Sequence, residues 1–410
     1  MAPSLSTMPS EVYLECTKLL PDFKSLQNFK QTCKRANAII ATNERRIYAA
    51  IVPREIGPEL FPIAMLCAIA KHESSGLPSA IADCKDHPGD GDRIDKYERR
   101  AVDFCKTRLS GQAMVLEDPI PELTLQMLHE MWDFHTTARI YADGYMEKLN
   151  CKLPPGCRPI SSSERLWAFR AFYILELVRL VAPFEPRKEH EDPAFDAFWR
   201  AWAPWEKSQV TGIFSHMRNL ACARATVLYP GHWRAAPYPQ RFVVHAGLRN
   251  VHALLCDEEA AATQFSNLQW YNESGQRQYR WLLPYPRNYT DWLLPPDRHV
   301  PATGASLNMP NIMKAYKDFG NDSGPRDAWF FAYIGRHAMG RMDWPDGSDR
   351  YRKWAEHSRA LGIFHGDGGY MPFLSRERLD SLFDLPSMEE MVEASREVYQ
   401  PSRGRRAQRI

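Results

Sequence analysis

Residues 8–40, MPSEVYLECTKLLPDFKSLQNFKQTCKRANAII, decide how the rest of the chain is read. Pro9 suits the first turn of a helix, where its missing N–H would have had no partner, and Glu11 sits at the positive end of that helix's dipole. Val12, Cys16, Leu19 and Leu20 recur at helical spacing as one apolar stripe. Pro21 disfavours helical geometry in Leu20, so the element closes at Leu20-Pro21-Asp22, and Asp22 is placed to cap the next one. A second helical run follows at once. Phe23, Leu26, Phe29, Cys33, Ala36 and Ile39 lie three or four residues apart, with Lys24, Lys30, Lys34 and Arg35 on the other side. About 35 residues cannot bury enough apolar surface to be stable alone, so these short helices are expected to pack on something else.

The order of a hydrophobic residue, Pro, a variable residue and Glu at Met8–Glu11, then Leu19-Leu20-Pro21-Asp22, Leu26 and Thr32-Cys33-Lys34-Arg35, resembles the F-box. That family's three-helix module docks on the small Skp-type adaptor of cullin-RING ubiquitin ligases. The resemblance covers about a tenth of the chain. Met8 stands where Leu is usual, Cys16 where a larger aliphatic is usual, and Ala36 where an aromatic or large apolar residue is common. The resemblance implies adaptor binding through Met8, Pro9, Val12, Leu19, Leu20, Pro21, Leu26, Phe29 and Cys33. Some of these must instead hold the module together, and the sequence alone does not sort the two groups.

The full length of 410 residues allows two or three domains. With 44% apolar and 25% charged residues the composition is that of a globular protein, and 12 Trp with 31 Pro predict bulky helix contacts and well-punctuated loops. A formal charge of +2 supplies no global field to recruit nucleic acid or an acidic membrane. No basic segment precedes an apolar one at the N-terminus, which argues against a secretory signal. Phe61–Ala70 is too short to span a bilayer, and Leu166–Val181 is interrupted by Arg170, Glu176 and Arg179. Nine Cys without a Cys-x-x-Cys pair favour reduced thiols in the cytoplasm or nucleus.

Residues 1–7 read as a flexible leader, and Asn43–Ala50 as a helix leaving the module, with a joint at Pro53 and Gly57-Pro58. Glu59–Lys71 repeats Leu60, Phe61, Ala64, Met65 and Ala68 on one helical face. Gly76–Asp92 reads as loop, Asp95–Leu109 as helix, and Glu122–Leu149 as a longer helix with a stripe of Leu125, Leu128, Trp132, His135, Ile140 and Tyr141. Ser161 with Glu164 forms a capping box. The helix that follows, to about Val181, is apolar around most of its girth through Leu166, Trp167, Phe169, Ala171, Phe172, Leu175, Val178 and Leu180, so it is expected at the centre of its domain. Further helices are expected over Glu206–Leu228, Phe242–Leu255, Ala328–Met339 and Tyr351–Leu361, loop over Pro284–Pro301, and short strands within Gly362–Phe373. The basic tail Arg403–Arg409 reads as solvated and disordered. No period of 20 to 50 residues appears, which argues against repeat-type substrate receptors. More diffusely, Ser163–Pro183, Phe195–Val210, His245–Leu255 and Arg359–Leu379 resemble blocks of fungal F-box proteins whose F-box precedes a long all-helical region.

Candidate sites in the body are sparse. His245 and His252 are seven residues apart, about 10.5 Å along a helix, too far to share a metal ion. Cys151 and Cys157 flank Pro154-Pro155-Gly156 without a second pair. His365-Gly366-Asp367-Gly368-Gly369 is the most site-like loop, although its glycines and Asp367 also suit a tight turn. Nucleophile-elbow, Walker and dinucleotide glycine patterns are absent. Trp167, Phe172, Trp199, Trp202 and Trp205 are expected in the core.

The expected fold is mostly α: an N-terminal three-helix F-box over 1–50, a large all-helical, non-repeat substrate-recognition domain over 51–395, and the tail over 396–410. The expected function is that of a non-enzymatic substrate-recognition subunit of an SCF-type ubiquitin ligase. It would bind a Skp-type adaptor, and through it a cullin scaffold, and present a substrate protein, with no cofactor, metal or membrane. The alternatives are an F-box-like scaffold without a role in ubiquitination and an orphan enzyme with a site near His365 and Asp367.

Overall fold

The computed structural model describes residues 8–73, 91–109, 123–182, 193–199, 201–228, 238–257, 324–328 and 373–383, and among them every regular element is helical. The N-terminal stretch forms α1 (Ser10–Lys18), α2 (Phe23–Thr32) and α3 (Lys34–Thr42), followed by α4 (Glu44–Ile56). Pro9 is the N-cap of α1, and its carbonyl accepts the Tyr13 N–H at 3.1 Å. Asp22 caps α2, its Oδ1 accepting from the Ser25 N–H at 2.7 Å. The run from Phe23 to Ile39 is two helices and not one. Cys33 is extended, and its sulfur caps α3 by accepting the Ala36 N–H at 3.3 Å. Because only one residue leaves helical geometry, the apolar spacing carries across the break and conceals it.

The stripe of Val12, Cys16 and Leu19 is not the buried face of α1. Tyr13 and Thr17 are buried, whereas Val12, Cys16 and Leu19 are exposed. Burying the large Tyr13 ring removes more apolar surface from water than burying Val or Cys, and its hydroxyl reaches Cys33 Sγ at 3.9 Å. Helix α4 runs through Pro53, expected at a joint, and stops at Gly57, whose φ of +87° lies outside the helical region.

The body begins with α5 (Phe61–Glu73), buried continuously from Ile63 to Ala68 and so without the one-sided face expected of it. Next come α6 (Gly91–Phe104), which starts before Asp95, and a π-helical turn over Cys105–Leu109. Then follow α7 (Leu125–Lys152), α8 (Ser162–Val181), α9 (Pro193–Trp199), α10 (Pro204–Leu228), α11 (Tyr238–Cys256) and α12 (Arg376–Phe383), with a helical turn over 324–328. In α7 the buried arc includes Leu128, Met131, His135, Ala138 and Tyr141, and it leaves the expected Ile140 54% exposed, because Ile140 falls off that arc.

Helix α8 carries the capping box in full: Ser161 Oγ accepts the Glu164 N–H, and Glu164 Oε2 accepts the Ser161 N–H at 2.8 Å. It packs against α5, α7, α10 and α11, the central place its girth of apolar residues calls for. Phe172, Trp199, Trp202 and Trp205 are buried, and Trp167 is partly so. One apolar core extends from Phe23 and Leu26 to Leu382, continuous past residue 50. The leader, Pro284–Pro301, the His365–Gly369 loop, the tail, and all but single residues of the helices and strands expected over 328–373 lie outside the described residues.

Candidate functional site

The N-terminal helices are held in place by α4. Arg54 extends from it to the exposed C-terminal end of α1, where its guanidinium donates to the carbonyls of Lys18, at 2.8 Å, and Leu20. Glu55 accepts the Phe23 N–H at 3.2 Å at the start of α2. A cation on carbonyls and a carboxylate on an amide both complement the helix dipoles they meet. Phe23 then inserts its ring between Tyr48 of α4, at 4.6 Å, and Trp132 of α7, at 4.2 Å. The face these helices turn outward is therefore fixed relative to the body.

The nine residues implied by the resemblance fall into three groups. Leu26 is buried in the core. Met8, Leu20, Phe29 and Cys33 are half-buried, with the Phe29 ring 5.7 Å from Tyr13. Pro9, Val12, Leu19 and Pro21 are exposed, Val12 by 43% and Leu19 by 74%. With the exposed Cys16, the residues Pro9, Val12 and Leu19 form a ridge at helical spacing along the outer side of α1, and Pro21 continues it at the turn. This ridge is apolar and exposed. Tyr13, buried beneath it, was absent from the sequence-derived set, although its aromatic ring one residue from Val12 was a signal for the inner face.

Two polar networks inside the body escaped the sequence. His135 accepts from Arg139 at 3.0 Å through Nε2 and meets the Tyr173 hydroxyl at 3.0 Å through Nδ1. With Arg139 as donor to Nε2, the ring proton sits on Nδ1 and faces Tyr173. Burial, then the Arg139 charge, lowers the His135 pKa to about 4, while burial holds the Tyr173 phenol well above its usual value. Acid–base catalysts work best with pKa values near the ambient pH, and both groups are moved away from it. Arg139 also lies 3.6 Å from Glu55, so the network links α4 to α8.

The second network centres on Glu164, fully buried, and Arg378, 5% exposed by side chain. Arg378 donates to both carboxylate oxygens, at 2.7 and 2.8 Å, and to the carbonyls of Arg158 and Pro159, at 2.6 and 2.8 Å. The Ser375 N–H adds a bond at 2.9 Å to Glu164 Oε1. Burial alone raises the Glu164 pKa, but these donors outweigh it and the carboxyl stays below its ordinary value.

Among the described residues no group of three or more His, Cys, Asp or Glu side chains could hold a metal ion, and no helix is long and apolar enough to cross a membrane. Cys151 is exposed and Cys157 half-buried, both as free thiols. His252 hydrogen-bonds Tyr141 at 2.9 Å through Nδ1. His365 and Asp367 lie outside the described residues. Compared with known proteins, the chain matches no family model, no curated protein and no solved structure.

Proposed function

We propose that the N-terminal helices are an F-box and that the chain is a non-enzymatic substrate-recognition subunit of an SCF-type ubiquitin ligase, working in the cytoplasm or nucleus. The observation that carries the reading is the exposed ridge of Pro9, Val12, Cys16 and Leu19 on α1, within a stretch whose residue order resembles that family. A Skp-type adaptor would cover the ridge, and a cullin scaffold would join through the adaptor. The non-repeat helical body would hold a substrate protein. The contribution to chemistry would be proximity: raising the effective concentration of substrate lysines near a thioester carried by another enzyme. The fixed seat of α1–α3 on α4 and α7 favours this role, since an oriented body presents its cargo in a constant direction.

Val12→Asp with Leu19→Asp puts two charges on the ridge without touching the core. Pull-down of a Skp-type adaptor should be lost in this variant while its thermal melt matches the parent. Retained binding by the folded double variant would remove α1 from the docking surface.

A further inference from the structure

Away from the ridge, α5, α7, α8 and α11 surround a cavity of about 240 Å³. Its floor is apolar, with Ala64, Ala68 and Met131 all buried. Charges of both signs line it in three ion pairs, the most exposed of them at its mouth. Lys71 lies 2.9 Å from Glu130, Arg179 donates from Nε to Glu176 at 3.0 Å, and Arg249 lies 3.7 Å from Asp133. The last wall is made by a kink in α11. Gly247, with φ +77°, interrupts the helix, and the segment that restarts at Leu248 lines the cavity through Leu248, Arg249 and Asn250. A Cβ at position 247 would lie 2.6 Å from Arg179 Nε, so the close approach of this backbone to the guanidinium requires glycine.

We infer that this cavity binds a small zwitterion with a compact apolar side chain, the class of an aliphatic α-amino acid. The inference is independent of adaptor docking. Size sets the first limit. If benzene fills a cavity of about 150 Å³, this one holds roughly ten non-hydrogen atoms, the scale of leucine. Charge sets the second. Lys71, Arg179 and Arg249 are balanced by Glu130, Asp133 and Glu176, so a lone anion or cation would meet as many like charges as opposite ones, whereas a zwitterion satisfies both.

The pairing at the mouth gives the orientation. Arg249 and Asp133 form the loosest pair, with side chains 75% and 50% exposed, and such a pair contributes little as it stands. A ligand carboxylate can take paired hydrogen bonds from Arg249 at the positive end of the restarted helix. The ammonium then faces Asp133 and Glu130, and the side chain lies on Ala64, Ala68 and Met131. An apolar floor with a few convergent polar groups is the usual composition of a small-molecule site.

The test is isothermal titration calorimetry of the full chain with L-leucine, and with isopentylamine and isocaproate as its single-charge counterparts. Leucine should bind saturably at one site with a millimolar or lower Kd, and each counterpart about tenfold more weakly or worse. Arg249→Ala, at an exposed position, should lose about tenfold, and Ala68→Leu, which fills the floor, should abolish binding. Circular dichroism melts establish that both variants are folded. Absence of saturable leucine binding by the folded parent would overturn the inference, as would equal binding of either counterpart or unchanged affinity in folded Arg249→Ala.

Discussion

Replacing Arg378 by Ala would leave the Glu164 carboxylate buried and facing only backbone donors. Removing one partner of a buried ion pair costs about 3–5 kcal/mol, so chemical denaturation of Arg378→Ala should show a loss of that size; a loss below about 1 kcal/mol would mean that water reaches Glu164. A pH effect belongs to two other buried side chains. His135 and His216 ordinarily take a proton near 6.5, but in the folded chain only near 4, through burial first and then the charges of Arg139 and Lys148 respectively. Between those values the unfolded chain binds more protons, so stability is complete above 6.5 and falls as pH drops towards 4. Urea denaturation should show a loss of roughly 2 kcal/mol for each imidazole from about pH 7 to about pH 5, and His135→Gln should remove its share of that slope. An unchanged slope would show that His135 is not buried as a neutral ring.

At the scale of elements, the kink in α11 sets Gly247 apart from Gly156, another glycine of positive φ. Gly156 has φ +89° with open space around its Cβ position, whereas Gly247 has φ +77° and Arg179 in the way. Gly156→Ala should cost about 1 kcal/mol from backbone strain, and Gly247→Ala about 3 kcal/mol or more, because the half-buried Arg179 guanidinium must also shift. Equal costs by denaturation would show that Arg179 yields freely. Helices such as α7, α8 and α10 were legible because caps and 3.6-residue spacing are local signals, and the Ser161–Glu164 box fixed the start of α8. The kink was not, because Gly247 sits inside an unbroken apolar period. Nor was the break at Cys33, where a cysteine takes the capping place usual for Ser, Thr, Asp or Asn. Val12 and Leu19 share a stripe in the sequence, but nothing local shows which side of α1 it takes or that Tyr13 holds the inner face.

Over the whole molecule, the features that fix the architecture are long-range. Arg378 meets Glu164 across 214 positions of sequence, and Phe23 meets Trp132 of α7. No local pattern encodes either partner, so the helical class could be read from sequence and the seating of the N-terminal helices on the body could not. The candidate docking residues were legible as a set through their resemblance to a known module. Sorting Leu26 from Val12 and Leu19 required the fold. That seating also decides how the docking proposal is best tested. Deleting the N-terminal helices would strip Phe23, Leu26 and Ile40 from the shared core and unfold more than the ridge. The most direct measurement is size-exclusion chromatography of the full chain co-expressed with a Skp-type adaptor. The account predicts a stoichiometric complex that is lost in the Val12→Asp, Leu19→Asp variant, and a folded parent chain eluting without the adaptor would contradict it.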